Sequence, residues 1–371
     1  MRYLDRRGFE RLLHVLSTDG YELIGPTVRD GAIVLDRIDG VADLPRGVRE
    51  AQAPGSYRLE QAGDDLLFAW AHGPDAAKRF LFPPHETIQT GHRDRDGHIT
   101  VTPAPLPTDR FAFVGLRSCD LHAIEVQDRV FLLADPAYRS RRERAFFIGV
   151  NCGHPGATCF CVSMQTGPRC SMGFDIALTE LEDGFTAEEG TPRGGELLDE
   201  VEAIDATEAH SVASVAVTDQ AATLMGRTLE TGDLPDLLYR NREHPRWDEV
   251  AERCLTCTNC TMACPTCFCN DVSDGISLDG AEATRSRDWA SCFSEEFSHM
   301  ASGEVRSSAR SRYRQWLTHK FSSWIDQFGT SGCVGCGRCI TWCPVGIDVT
   351  EEIAAIRAAD GEVTLSKEVL A

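Results

Sequence analysis

The sequence predicts an α+β fold, in which a mixed α/β N-terminal part precedes a helical C-terminal part. Three observations support this prediction. Apolar runs of strand length flank a helical pattern between residues 111 and 150, which is typical of parallel βαβ units. Aromatic and apolar residues recur at steps of three and four between residues 307 and 329, which predicts a helix with one buried face. Two cysteine runs of identical spacing lie in the C-terminal part.

These two cysteine runs share the pattern C-x2-C-x2-C-x3-C-P, at residues 254–265 and 333–344. Three thiolates on one tight loop can reach three corners of a cubic cluster, whereas the fourth cysteine points toward the neighbouring cluster. This is the ferredoxin pattern for [4Fe–4S] clusters. The proline turns the chain away from the cluster, because it lacks an N–H and has a fixed φ.

The crossing of the fourth cysteine gives a specific assignment of ligands. We expect one cluster to be held by Cys254, Cys257, Cys260 and Cys343, and the other by Cys333, Cys336, Cys339 and Cys264. A pair of structural zinc sites is the alternative, but zinc modules usually show separated C-x2-C pairs or mixed Cys/His sets. The pattern occurs twice with no ligand missing, which favours two [4Fe–4S] clusters.

Composition narrows the class of protein. A chain of 371 residues with 42% hydrophobic residues can build two or three domains. The net charge of -20 argues against nucleic acid and anionic membranes as partners. No segment approaches the apolar length of a membrane span, and the N-terminus has the pattern of an amphipathic helix rather than a signal peptide. Sixteen cysteines then indicate metal ligands in a reducing compartment, so we expect a cytoplasmic protein.

We expect three structural units along the chain. Residues 1–77 predict a small α+β module, and no motif in it indicates a chemical function. Residues 78–235 predict an α/β domain with cysteine-rich loops at its strand ends. Residues 236–371 predict an α-helical domain with two [4Fe–4S] clusters, because the long insert between the cysteine runs has a helical pattern rather than the short β-rich connection of small ferredoxins.

The second unit contains two predicted strands, at residues 111–116 and 145–150, with a helix between them that Asp120 can cap. This order predicts two parallel neighbouring strands joined by a right-handed crossover. The carboxyl ends of parallel strands lie at one edge of the sheet, where open α/β sheets bind ligands. Cys119 and Cys152 each follow such an end, so we expect them to meet there.

A third metal site is predicted at this edge. Cys159 and Cys161 follow Cys152 on a segment rich in glycine and proline, which can fold back over the sheet edge. Thiolates gathered in this way would repel one another unless a metal neutralised them. We therefore predict a third [4Fe–4S] cluster held by Cys119, Cys152, Cys159 and Cys161. Buried reduced thiols are the alternative. Whether the other cysteines pack or bind metal stays open; these are Cys170, Cys267, Cys269 and Cys292.

The insert between the cysteine runs also carries several basic residues without an acid between them, namely Arg306, Arg310, Arg312, Arg314 and Lys320. In so acidic a chain, such a patch could dock an acidic partner or offset the negative charge of the clusters. A solvated helix face is the alternative.

The cysteine runs with their long helical insert resemble the alpha-helical ferredoxin domain. Upstream motifs narrow the resemblance; they are Phe82-Pro-Pro-His-Glu86, Gly115-Leu-Arg-Ser-Cys-Asp-Leu-His-Ala123, Asn151-Cys152 with Cys159-Phe-Cys161, and Cys333-Val-Gly-Cys-Gly-Arg-Cys339. With these motifs the chain resembles the iron–sulfur beta subunit of cytosolic nickel–iron hydrogenases, also called sulfhydrogenases. The corresponding iron–sulfur component of anaerobic sulfite reductase is similar. The resemblance covers roughly residues 78–349.

The resemblance implies an electron-transfer subunit with no catalytic residues of its own. Such a chain passes electrons through [4Fe–4S] clusters between the hydrogenase small and large subunits and a flavoprotein NAD(P)-binding subunit. The chain has neither G-x-G-x-x-G nor G-x-x-x-x-G-K-[ST], as expected if nucleotide chemistry belongs to another subunit. Two alternatives remain: the equivalent subunit beside a sulfite reductase catalytic subunit, and a self-contained iron–sulfur reductase with a flavin site.

Overall fold

The computed structural model describes residues 1–360. The strands, β1 to β16 in chain order, span Arg2–Asp5, Glu22–Arg29, Ala32–Arg37, Val48–Ala53, Ser56–Gln61, His85–Arg93, Ile99–Pro103, Phe111–Leu116, Phe146–Val150, Ile176–Glu180, Gly184–Glu189, Ile204–Asp205, Asn270–Ile276, Glu282–Trp289, His299–Met300 and Gly303–Glu304. The α-helices, α1 to α13, span Arg6–Thr18, Lys78–Leu81, Ser118–Phe131, Pro136–Arg144, Pro192–Glu200, Glu208–Thr223, Leu234–Arg240, Arg246–Arg253, Asn259–Met262, Ala309–Thr318, Trp324–Phe328, Arg338–Thr341 and Val349–Ala358.

An eight-stranded sheet forms the N-terminal part, with the strand order β12-β1-β11-β10-β9-β8-β2-β3. Its central strands β10, β9, β8 and β2 are parallel neighbours. The predicted parallel pair on either side of a helix, now β8 and β9, is therefore confirmed. Strands from residues 1–37 lie in the same sheet as strands from residues 111–205. The boundary predicted at residue 77 thus does not divide the sheet.

Helix α3 begins directly after β8, which places Cys119 in its first turn. Arg117 is the N-cap residue, and Asp120 Oδ2 accepts the backbone N–H of Arg117 at 3.2 Å. Asp120 therefore lies at the third helical position rather than at the N-cap predicted for it. A carboxylate at this position can reach back to the free N–H group at the start of the helix, so Asp120 fixes the sharp turn from strand to helix.

The C-terminal part contains the predicted amphipathic helix. Helix α10 continues through the π-helical turn His319–Ser323 into α11, and Gly329 ends it in a left-handed conformation with φ 69°. Its buried face includes Leu317 and Phe321, and the burial of each stabilises the fold by roughly 1.5–3 kcal/mol.

The rest of the insert departs from the helical expectation. Residues 270–289 form the hairpin of β13 and β14, whose connection includes Asp279-Gly280, a common hairpin turn pair. The C-terminal part is therefore not purely helical. The predicted third unit extends to residue 371, and its last residues, 361–371, lie outside the described range.

The hairpin of β13 and β14 joins the two parts of the chain. Strand β14 pairs with β6, which gives a four-stranded sheet in the order β13-β14-β6-β7. None of the helices between residues 1 and 360 is both long and apolar enough to cross a membrane.

The predicted basic patch is largely neutralised. Arg310 and Arg314 both pair with Glu243, and Arg312 pairs with Glu304. Arg312 and Lys320 are also buried. These residues therefore do not present one free cationic surface, because acidic side chains from neighbouring elements compensate most of the charge.

A network of ion pairs with little solvent exposure connects β14 with the N-terminal part of the chain. The Glu86 carboxylate accepts hydrogen bonds from Arg141 and from Arg287, the latter at 2.6 Å, and Arg287 also pairs with Asp135. All four side chains are about nine-tenths buried. The loss of Glu86 would leave two guanidinium groups without part of their counter-charge.

We expect Glu86→Gln to reduce the free energy of unfolding by about 3 kcal/mol, because removal of one partner leaves buried charge uncompensated. Thermal unfolding followed by circular dichroism measures the effect. The matched control is Glu282→Gln, which removes an exposed carboxylate that pairs with His92 and should change stability by less than about 0.5 kcal/mol. Equal shifts in the two variants would contradict the prediction.

Candidate metal centres

The first cysteine set comes from both runs. Cys254, Cys257, Cys260 and Cys343 line one cavity, which Cys339 of the second run also borders. Its walls are mainly apolar and include aromatic side chains of the insert; the lining residues Phe293, Tyr313 and Trp316 are buried. Burial raises the pKa of the Cys260 thiol, and the neighbouring sulfurs raise it further. The structure thus brings the last cysteine of the second run to the first three of the first run.

The second cysteine set shows the reciprocal exchange. Burial raises the pKa of the Cys339 thiol, and Cys333, Cys336 and Cys264 raise it further because they lie close by. The short helices α9 and α12 follow the two loops and carry the chain from one set toward the other. Cys343 thus lies with the first run and Cys264 with the second, as crossed ligands would require, and Cys339 borders both sets.

Lys320 is placed to stabilise a thiolate in the second set. Its ammonium group is buried and donates to Cys264 Sγ at 3.0 Å, to Thr266 Oγ1 at 3.1 Å and to the Gly332 carbonyl at 3.1 Å. It makes no ion pair with a carboxylate within residues 1–360. A hydrogen bond from Cys267 and the charge of Lys320 hold the pKa of Cys264 well below its usual range. The thiolate is the form that binds metal, so this donor set fits an anionic cluster.

The predicted third set also converges. Cys119, Cys152, Cys159 and Cys161 are buried and line one cavity. The loop after β9 folds back over the sheet edge, where the Cys152 N–H donates to the Pro168 carbonyl at 3.0 Å. Burial raises the pKa of all four thiols, that of Cys161 to about 12, so without a metal they remain protonated near neutral pH. A metal would have to supply the stabilisation that a thiolate needs here.

Two buried guanidinium groups flank the third set. Arg117 donates to the Trp70 carbonyl at 2.7 Å and to the Asn151 carbonyl at 3.3 Å, and it forms no ion pair in the described part of the chain. Arg338 is equally buried and pairs with Asp120 at 2.8 Å. A buried cation without a carboxylate is costly unless an anion lies nearby. The cationic surroundings therefore fit a negatively charged thiolate-ligated cluster.

The third set packs directly against the second cysteine run. The Phe160 N–H donates to the Gly335 carbonyl at 2.8 Å, and Cys336 lines the same cavity as the third set. A Cβ on Gly335 would lie 2.7 Å from the backbone of Cys161, and a Cβ on Gly337 would lie 2.5 Å from the Thr158 carbonyl oxygen. Glycine at both positions is therefore required for this close approach.

Comparison of the two cysteine runs shows why glycine is needed only in the second. Thr256 and Thr258 occupy the equivalent positions and also have positive φ, 51° and 70°. The loop conformation around three cysteines thus requires left-handed backbone in both runs. Only the second run also needs glycine, since the loop of the third set packs against it.

The remaining cysteines lie outside the two cavities described. Cys170 is buried beside Gly149, on the sheet side of the third set. Cys267 and Cys269 follow the first run, and Cys292 follows β14, where the Ala290 N–H donates to the Cys269 carbonyl at 2.9 Å. Two further residues of the sites were missed by the sequence reasoning, namely His72 and Arg117, whereas Lys320 was predicted only as one member of a basic patch. The position of Arg117 directly after an apolar run of strand length was the one local signal available.

Comparison with known proteins agrees with this geometry. A family model described as a 4Fe-4S dicluster domain matches residues 253–347, which contain both cysteine runs. Sulfhydrogenase 2 subunit beta from Pyrococcus furiosus is 34% identical over 317 residues, which cover 81% of this chain and 89% of that protein. No solved structure matches the chain. The chain therefore belongs to the family of sulfhydrogenase beta subunits and is an iron–sulfur subunit for electron transfer.

Proposed function

We propose that this chain passes electrons through three [4Fe–4S] clusters between a nickel–iron hydrogenase module of small and large subunits and a flavoprotein NAD(P)-binding subunit. The observation that carries the proposal is that the three cysteine sets lie next to one another in a row, with the second set in the middle. The third set adjoins the second run, Cys343 lines the cavity of the first set, and Cys264 lies near the sulfurs of the second. Clusters of this kind supply one-electron chemistry when bound, and the succession of sets would connect one partner to the other.

We assign the ligands according to these three sets. Cys254, Cys257, Cys260 and Cys343 would hold the first cluster, Cys333, Cys336, Cys339 and Cys264 the second, and Cys119, Cys152, Cys159 and Cys161 the third. Protein groups around each set supply what a bound cluster needs. Lys320 and Arg117 contribute positive charge, and the aromatic walls of the first cavity exclude water. Burial, charge and hydrogen bonds to sulfur are what set the reduction potential of such clusters.

The first set offers an exit toward a partner protein. Cys257 is exposed, and the lining residues Leu255 and Val345 expose 62% and 37% of their surface. Exposed apolar residues around a cofactor site are typical of a protein–protein contact. We infer that one partner docks over this rim and the other approaches the α/β part, and that the assembly works in the cytoplasm.

Purification of the native complex through a tag on this chain tests the proposal. We expect nickel and a flavin subunit to co-purify, because the chain would connect those two modules. Siroheme without nickel would instead support the sulfite reductase alternative. The chain expressed alone serves as the control: a stoichiometric flavin spectrum from it would support a self-contained reductase and overturn the proposal.

A further inference from the structure

A buried series of polar contacts connects the third cysteine set with the second cysteine run. His72 Nε2 lies 3.0 Å from Cys119 Sγ, and His72 Nδ1 lies 3.5 Å from Asp120 Oδ2. Asp120 Oδ1 accepts a hydrogen bond from Arg338 Nη2 at 2.8 Å. Arg338 belongs to the second cysteine run. His72, Asp120 and Arg338 expose only 6%, 5% and 3% of their surface, so water does not compete for these contacts.

The position of His72 is fixed from its backbone as well. Arg338 Nε donates to the carbonyl of Gly73, the next residue, at 3.2 Å. A Cβ on Gly73 would lie 1.6 Å from the Ile33 carbonyl oxygen, so the backbone at Gly73 packs directly against β3. The imidazole is therefore held in one orientation toward Cys119.

The contact between His72 and Cys119 has a definite consequence when a cluster is bound. A cysteine that ligates a cluster is a thiolate and has no S–H to donate. The 3.0 Å contact is then favourable when Nε2 carries the proton and donates to the sulfur. Such a hydrogen bond withdraws negative charge from the sulfur, which favours the reduced cluster and raises its reduction potential.

We propose that His72 is a positioning residue that donates a hydrogen bond to the Cys119 sulfur and raises the potential of the third cluster. Nδ1 is then unprotonated and makes no hydrogen bond with Asp120, 3.5 Å away. Arg338 holds the backbone beside His72 through the Gly73 carbonyl and ties it to the loop of the second cluster. This inference rests on the third cluster of the proposed function, since that cluster is what His72 would adjust.

A single metal ion bound by His72, Cys119 and Asp120 is the competing interpretation, because ligand atoms of these groups lie within 4.8 Å of one another. Two features favour the hydrogen bond. The Asp120 carboxylate already pairs with Arg338, whose positive charge would oppose a cation. Cys119 also lines a cavity with four further cysteines, including Cys336 of the second run, and a single ion on His72, Cys119 and Asp120 would leave these cysteines without a role.

The test uses the full-length chain, reconstituted anaerobically, with His72→Leu and His72→Gln as the variants. Iron and zinc are counted, and the cluster potentials are measured by titration followed with EPR. We expect about twelve iron atoms in the unsubstituted chain. His72→Leu should shift one midpoint to lower potential, and His72→Gln should stay near the unsubstituted value because its amide can donate. The control His244→Leu removes another buried histidine and should shift none.

Each outcome decides between the interpretations. Loss of about four iron atoms in His72→Leu but not in His72→Gln also supports the donor role, since only a donor separates the two variants. Unchanged potentials with full iron content overturn the donor role of His72. Loss of the cluster in both variants also overturns it, because the site would then require the shape of the imidazole ring rather than its N–H group. Stoichiometric zinc that the variants lose would favour the single ion. About eight iron atoms in the unsubstituted chain would instead refute the third cluster itself.

Discussion

Serine in place of Cys159 in the full-length chain should lower the iron content from about twelve to about eight atoms per chain. Cys159 exposes only 5% of its surface and lines the cavity of the third cysteine set. A serine hydroxyl fits the same space but does not replace the soft thiolate that an iron–sulfur cluster requires. Iron and acid-labile sulfide, determined after anaerobic reconstitution, measure the loss.

The matched control is Cys170→Ser, which changes an equally buried thiol outside that cavity and should retain all the iron. If the unsubstituted chain, Cys159→Ser and Cys170→Ser all contain about eight iron atoms, the third set consists of reduced thiols only; if all three contain about twelve, Cys159 is not a ligand. The full chain is needed for this experiment. Gly335 and Gly337 pack against the loop that carries Cys159, so a fragment without the second run would expose the site.

The position of the third set could be predicted because it depends on local order. An apolar strand, a helix and a second apolar strand nearly always form a parallel pair with a right-handed crossover. Cys119 and Cys152 follow the two strands directly, so the topology alone places them at one edge. The two cysteine runs were predictable for a similar reason, because each ligand set is mostly encoded within one short loop.

Partners distant in the chain could not be predicted. Strand β1 pairs with β11, and β6 pairs with β14, although these strands are far apart in sequence and carry no pattern that specifies one another. Hydrophobic alternation shows that a strand has a buried face but not which strand lies beside it. The predicted first unit was therefore separated from the sheet to which its strands belong, and the hairpin within the insert was missed.

The individual contacts that the surrounding groups make with the sulfurs could not be predicted from the sequence. Lys320 was predicted as part of a basic patch that could offset the negative charge of the clusters, but the sequence did not show that its ammonium group is buried against Cys264. His72 is isolated from every cysteine in the chain order and meets Cys119 only in the folded state. A lone histidine or lysine acquires its role from tertiary packing, because nothing in its neighbouring residues determines what its side chain will contact.

Cys264→Ser should remove the second cluster, although Cys264 belongs to the first cysteine run. Its sulfur accepts from Lys320 Nζ at 3.0 Å, and Lys320 also binds the carbonyl of Gly332, the residue before Cys333. Cys264 thus lies with the second run and not with the cavity of the first set. We expect a loss of about four iron atoms per chain, unless the adjacent Cys267 takes over as a ligand. The double variant Cys264→Ser/Cys267→Ser excludes this rescue.

Reference variants decide which cluster has been lost. Cys254→Ser should damage only the first cluster and Cys333→Ser only the second, so their EPR spectra after reduction define the two patterns. If the ligands cross, Cys264→Ser should reproduce the spectrum of Cys333→Ser, and Cys343→Ser should reproduce that of Cys254→Ser. Cys292→Ser, which changes a cysteine outside both sets, should leave the spectrum unchanged. A spectrum of Cys264→Ser that matches Cys254→Ser would show that each run holds its own cluster, because the fourth ligand would then have stayed with its three neighbours.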